Sequence, residues 1–193
     1  MYRKAKEGER GMKELIEVIN HQRHDWLNHI QVLLSYLKLG KYDMCEEYIH
    51  RIIAGANRDT LVSRLEYPPV VAYLLSFNAL HSNMRIEVEI PASFSLLKLK
   101  EGNWLGDFIV SLVKLYQQHA LYNGGESNTF LLTLHYQESA LRIVADFAGE
   151  LDVKGIEAGL NELCARMRAC GGEALLMPHT ASESVLECVF PFA

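Results

Sequence analysis

The sequence is short of several things, and each shortage excludes a class of protein. Its four cysteines, Cys45, Cys164, Cys170 and Cys188, have no paired spacing. They are expected to be reduced thiols of a cytosolic protein rather than a disulfide framework or a zinc knot. Basic residues are outnumbered, 19 Lys and Arg against 24 Asp and Glu, for a net charge of −5. A nucleic-acid binder that works by general phosphate attraction is therefore not expected. No apolar run approaches the roughly 18–20 residues that a membrane helix needs, so no membrane contact is expected. The first residues, "MYRKAKEGERG", have no apolar centre, so no signal peptide is expected either. What remains is a globular composition, 49% hydrophobic and 22% charged, with enough residues to bury a core.

From about Met12 to Leu39 no proline or glycine interrupts the chain. Leu15, Ile19, Trp26, Ile30, Leu33 and Leu37 recur at steps of three, four or seven, which predicts one long helix with an apolar stripe. Gly40 then stops it. A second helix is predicted from about Tyr42 to Leu65, with Cys45, Ile49, Ile52 and Ala56 on its stripe. Two helices of roughly 25 residues joined by so short a turn must lie antiparallel. One seam between them leaves apolar residues over, since Ile16, Leu27, Leu34 and Ile53 widen the faces. A second copy that completes a four-helix bundle is the favoured way to cover them, and the rest of the chain is the alternative.

The prolines of "EYPPVV" end the helical part, and the pattern changes to alternating helix and strand. "VVAYLLSFNALHSN", "NWLGDFIVSLVKLYQQHALY" and "GIEAGLNELCARMRACGG" are expected helices. "RIEVEIP", "TFLLTLHY", "ALRIVADF", "EALLMP" and "SVLECVFPF" are expected strands, with "QES" turning the second into the third. The fold class is therefore α+β: a helical hairpin over residues 1–67 and an α/β sandwich over residues 68–193.

The stretch "HQRHDWLNHIQ", His21 to Gln31, holds the candidate chemistry. At about 100° per residue, and with Trp26 centring the apolar stripe, His24 falls about 160° away. Asn28 and Gln31 lie one and two turns below it, with Ser35 on the same outer face. Asp25 lies to one side near His21, and Arg23 flanks the other. Three readings fit these residue types: a solvated polar face, a metal site, or a nucleophilic histidine. The metal reading suffers because the pairs His21–Asp25 and His24–Asn28 point in different directions. The nucleophile reading rests on imidazole being substantially neutral at pH 7, so that one ring nitrogen can attack phosphorus.

The run "RHDWLNHIQVLLSYLKLGKYDMCEEYI" resembles the histidine-bearing hairpin of the sporulation initiation phosphotransferase B family. It shares the His-Asp-Trp triplet, the asparagine four residues after the histidine, the glutamine three further on, and the Leu-x-Leu-x-Lys-Tyr-Asp turn. Citrate- and dicarboxylate-sensing histidine kinases carry a related pattern. The resemblance is specific over about Glu14 to Ile53 and mainly architectural beyond. It implies a homodimer whose hairpins form a four-helix bundle, and a phosphoryl-accepting histidine at His24. His21 and His29 do not match that position. Asp25, Asn28, Gln31 and Arg23 become supporting residues. The implied donor is the aspartyl phosphate of a single-domain response regulator, and the acceptor is a DNA-binding sporulation regulator. No intrinsic cofactor is expected, and the regulator brings the magnesium ion.

The same resemblance makes residues 68–193 similar to a histidine-kinase ATPase domain, but a degenerate one. Such a site needs an asparagine-bearing helix for magnesium, an Asp-x-Gly-x-Gly turn for adenine, and a glycine-rich loop for phosphates. Here "GDFIVSLVKLYQQHA" offers Ser111, Leu112 and Gln117 instead of asparagine. "VADFAGELD" keeps Asp146 and Gly149 without the second glycine, as a remnant or as a plain strand end and turn. ATP binding is not expected, which favours a relay transferase over two rivals: a sensor kinase core, and an antagonist that only docks regulators.

Overall fold

A computed structural model describes residues 2–121, 128–177 and 179–192, and only the backbone of residues 2–7 and 10. Two compact units result, Met1–Asp59 and Thr60–Ala193. The first holds helix α1, Tyr2–Lys38, and most of helix α2, Tyr42–Ser63. Helix α1 begins ten residues before the expected Met12. Gly8 and Gly11 each cost a helix about 1 kcal/mol relative to alanine. Neither removes a backbone donor as proline would, so the helix runs through them, and Lys13 pairs with Glu9 one turn away at 3.7 Å. Gly40, at φ +68°, closes α1, and the Gly40 N–H donates to the Leu37 carbonyl at 3.1 Å. The chain then reverses into α2.

The helices of the hairpin meet along one seam. His29 Nδ1 is hydrogen-bonded to Tyr48 Oη at 3.0 Å across it, and Tyr36 packs edge-on against Tyr48. Cys45 sits there at 8% exposure, the one buried side chain among the described residues of this unit. The expected stripe residues Leu15, Ile19, Trp26, Ile30 and Leu37 stay exposed within the chain.

The second unit closes on itself. Its elements are α3 (Pro68–Leu80), β1 (Met84–Glu89), α4 (Gly102–His119), β2 (Asn128–Gln137) and β3 (Ala140–Ala148). They continue with α5 (Val153–Ala169), β4 (Glu173–Leu176) and β5 (Glu183–Pro191). Tyr122 and Pro178, at the ends of two expected elements, lie outside the described residues. The two prolines stand in the first turn of α3, where a missing N–H costs nothing, so they start a helix, and α2 has already ended at Ser63. The sheet has the order β1-β2-β3-β5-β4, with β1 parallel to β2 and the other neighbours antiparallel. Alternation puts Phe130, Leu132 and Leu134 of β2, and Leu141, Ile143 and Phe147 of β3, on one buried face. Leu105, Phe108, Ile109, Leu112 and Tyr116 of α4 pack in the same core. Tyr116, wholly buried, shares a 2.8 Å hydrogen bond with Ser184 Oγ.

Candidate functional site

His24 stands in the middle of α1 with its side chain 72% exposed, so a docking protein can reach the ring without any rearrangement of the hairpin. Asn28, one turn on, places its amide Nδ2 3.1 Å from His24 Nδ1. That contact ties down one ring nitrogen. His24 Nε2 has no hydrogen-bond partner among the described residues.

The other four candidates divide. Asp25 is committed first to His21, with Oδ2 3.0 Å from His21 Nδ1; its Oδ1 is 3.9 Å from His24 Nδ1. It reaches His24 as a nearby charge, not as a hydrogen-bond partner. Arg23 donates from Nη2 to Asn20 Oδ1 at 3.2 Å and makes no contact with His24. Gln31 is exposed two turns below His24, and its backbone carbonyl accepts the Ser35 hydroxyl at 2.8 Å. The structure thus joins His24 directly to Asn28 and leaves Gln31 and Arg23 as surface around it. Among the described residues, no three His, Cys, Asp or Glu side chains come together as metal ligands would.

One feature escaped the sequence, the role of His29. His29, set aside as a phosphoacceptor, locks the seam through Tyr48, and Trp26 lies edge-on to its ring at 6.0 Å. Its place on the wheel, between the apolar stripe and the opposite flank from Leu27, was the available signal. Leu27 and Leu34 form an apolar rail on the other flank, between the Trp26 stripe and the His24 face, at 53% and 48% exposure.

The positions where an ATP site would be built in the second unit serve internal structure. In α4, Ser111 Oγ donates to the Asp107 carbonyl at 2.7 Å, and Gln117 is bonded to Asn83. Asn103 lies in the first turn, outside the helix body. Gly149 has φ +144°, and a Cβ there would stand 2.1 Å from Asn128 Oδ1. Asn128 is buried. It donates to the Asn83 and Leu121 carbonyls at 2.7 Å each and accepts from the Glu150 N–H at 2.7 Å. Gly149 is therefore required by a packed asparagine at the strand end.

The comparisons fit this geometry. Residues 4–65 match the sensor kinase SpoOB-type alpha-helical domain, and residues 66–190 match the C-terminal domain of sporulation initiation phospho-transferase B. Sporulation initiation phosphotransferase B of Bacillus subtilis (strain 168) is 28% identical over 136 residues, 70% of each chain. Among solved structures, the Acinetobacter baumannii histidine kinase AdeS is 12% identical, with a TM-score of 0.47 over 88% of this chain and 98% of its own. A blue-light activated histidine kinase domain from Erythrobacter litoralis is 12% identical, with a TM-score of 0.48 over 68% of this chain and 61% of its own. At these values the structural likeness carries no weight for function. The family models cover nearly the whole chain between them, and the chain belongs to the sporulation initiation phosphotransferase B family.

Proposed function

We propose that the protein relays a phosphoryl group in sporulation initiation, taking it from the aspartyl phosphate of one response regulator onto His24 and passing it to the aspartate of a second. Phosphotransfer in a sporulation phosphorelay is the reaction class of the family. The observation that carries the site is His24 itself: exposed in mid-helix, one ring nitrogen tied to Asn28 and the other free.

In the first half-reaction the Nε2 lone pair forms a bond to phosphorus. The bond from phosphorus to the aspartate oxygen breaks, and the regulator's carboxylate leaves with the electron pair. The second regulator's carboxylate reverses these steps. Attack by Nε2 needs the ring proton on Nδ1, and Asn28 then accepts that N–H through Oδ1, its amide turned by 180°. Asp25 stabilises the positive charge that the ring acquires. Arg23 offsets phosphate charge, and Gln31 adds docking surface. Little covalent chemistry falls to the protein, because the barrier is lowered chiefly by alignment and charge neutralisation. The regulator supplies the acidic pocket, the lysine and the magnesium ion.

The apolar stripe supports a homodimer. Trp26, Ile30 and Leu37 on α1 and Ile49 and Ile53 on α2 are too exposed for a lone hairpin, and a second hairpin would bury them in a four-helix bundle. The Leu27–Leu34 rail lies further round the helix, toward His24, where it would remain open for a regulator's apolar surface. The donor is a single-domain regulator and the acceptor a DNA-binding one, met in the cytoplasm. No helix among the described residues is long and apolar enough to cross a membrane.

Incubation with a response regulator carrying labelled aspartyl phosphate tests the reading. Label should move to the protein and then to a second regulator, and His24→Gln should abolish both steps while leaving the fold unchanged. Labelling of His24 by ATP alone would favour a sensor kinase core. If label never appears on the protein and His24→Gln leaves relay flux unchanged, the transferase reading fails and a docking antagonist remains.

A further inference from the structure

The α/β unit carries a cleft that the relay does not use. About 480 Å³ in volume, it is lined by residues from three separate stretches of chain: Arg64 and Glu66 after α2, Phe94, Ser95 and Lys98 between β1 and α4, and Tyr136 near the end of β2. It lies by the β2–β3 turn, since Tyr136 pairs with Leu141, at the opposite end of those strands from Asp146 and Gly149.

The walls are fixed to one another. The Leu96 N–H donates to the Leu65 carbonyl at 2.9 Å, and both residues are wholly buried. This bond holds the Arg64–Glu66 turn against the segment bearing Ser95 and Lys98. Phe94 stacks on Tyr136 with centroids 5.3 Å apart and planes 9° from parallel, which joins the third wall. Glu66 has φ +55°, a left-handed conformation that a residue with a Cβ adopts at a cost. Ser95 is 7% exposed, and its Oγ is the one buried side-chain polar atom without a hydrogen-bond partner among the described residues. An orphan hydroxyl at a cleft, beside a strained turn, marks a place built for something beyond folding.

The chemistry of the lining selects the occupant. Arg64 and Lys98 are exposed, and neither has an ion-pair partner among the described residues, so both are available to an anion. The volume falls in the range of small-molecule sites and far exceeds a lone phosphate. Phe94 is buried against Tyr136, which also packs against Phe192 at 5.7 Å, so the pair offers the cleft apolar ring edges, while Glu66 can accept only N–H or O–H groups. We propose that this cleft binds a small aryl anion whose phosphate or carboxylate meets Arg64 and Lys98 and whose ring packs against the edges of Phe94 and Tyr136. Ser95 turns its hydroxyl to the acidic group, and Glu66 takes a donor on the far side of the ring.

The test is a titration of the full chain with phenyl phosphate, benzoate, inorganic phosphate and phenol, followed by amide NMR shifts and calorimetry. Saturable shifts should gather at residues 64–66, 93–99 and 136. Both aryl acids should bind about tenfold more tightly than inorganic phosphate or phenol, and the tighter of the two identifies the acidic group. Arg64→Gln and Lys98→Gln, at exposed positions, should each weaken aryl-acid binding about tenfold without changing the melting temperature. Tyr136→Leu should weaken the aryl acids and leave inorganic phosphate unchanged. The proposal is overturned if no saturable shifts occur in that segment, if both glutamine variants bind as the unaltered chain does, or if inorganic phosphate binds as tightly as phenyl phosphate.

Discussion

The two units of the chain solve the burial of apolar surface in opposite ways. In Thr60–Ala193 alternate residues of the strands and one face of each helix share a closed core, in which Phe77, Phe108, Phe130 and Phe147 have no exposed surface. In Met1–Asp59 the longest helix of the molecule leaves Trp26 at 58% exposure, with Ile30 and Leu37 near half. A sheet with helices on it is complete within one chain. A hairpin of two helices has only one mutual seam, and its remaining apolar face stays exposed within the chain. In the proposed relay the phosphoryl-accepting histidine, His24, stands on the unit that does not close its own core.

The comparison can be broken at several points. Phe130→Ala should have the largest effect, about 3–5 kcal/mol of stability in the α/β unit. Hydrogen exchange should show lost protection in β2, β3 and β5, with α1 unchanged. Loss of protection throughout α1 would mean that the units are not independent.

Alkaline titration comes next. Burial pushes the Cys188 thiol up from its ordinary value near 9 to about 12, and neighbouring Cys164 adds to the rise. Burial likewise raises the Tyr116 hydroxyl from 10 to about 12, against the lowering effect of its bond to Ser184. Both groups are neutral when protonated and resist ionisation only in the folded chain. Their contribution is therefore complete below pH 9 and is lost as the pH climbs from about 9 to 12, on the order of 7 kcal/mol for the pair. Denaturant melts of the α/β unit at pH 8, 10 and 11 check the sign. The hairpin, with no such group in a closed core, should be the less sensitive half.

A smaller effect belongs to the open face. Trp26→Asp should raise the dissociation constant of the dimer by ~30-fold or more, read by sedimentation velocity, with the melt of the α/β unit unmoved. A protein that is monomeric before the substitution would remove the dimer from the account. The smallest effect separates chemistry from stability. Asn28→Ala should slow phosphoryl uptake by about threefold to tenfold, the worth of one ordinary hydrogen bond, and leave both melts alone. Uptake as fast as before would assign the orientation of His24 to Asp25 instead.

Most of the architecture was legible in the residues. Periodicity gave the two long helices, alternation gave the strands, and Gly40 marked the reversal of the hairpin. The expected start of α1, at about Met12, fell just past Gly8 and Gly11, whose cost to a helix is small beside that of a proline. His24 was legible too, because a helical wheel places any mid-helix residue once the apolar stripe is known. Its neighbours were less so. Asp25 stands beside both histidines on the wheel, and only side-chain geometry shows that its short contact, 3.0 Å, goes to His21 rather than His24.

The cleft was not legible at all. Arg64, Ser95 and Tyr136 share no motif and are brought together by a backbone bond from Leu96 to Leu65 and by a stacked ring pair. By itself the sequence determined what depends on spacing along one element: which faces are apolar, where helices turn, and which histidine stands outward. Tertiary structure alone decided what depends on contact between distant elements: the His29–Tyr48 lock, the service of Gly149 to Asn128, and the walls of the cleft. The reason is physical. Local geometry repeats with a fixed period that a reader can count, whereas contacts between elements are set by how whole faces pack, and no stretch of residues records that alone.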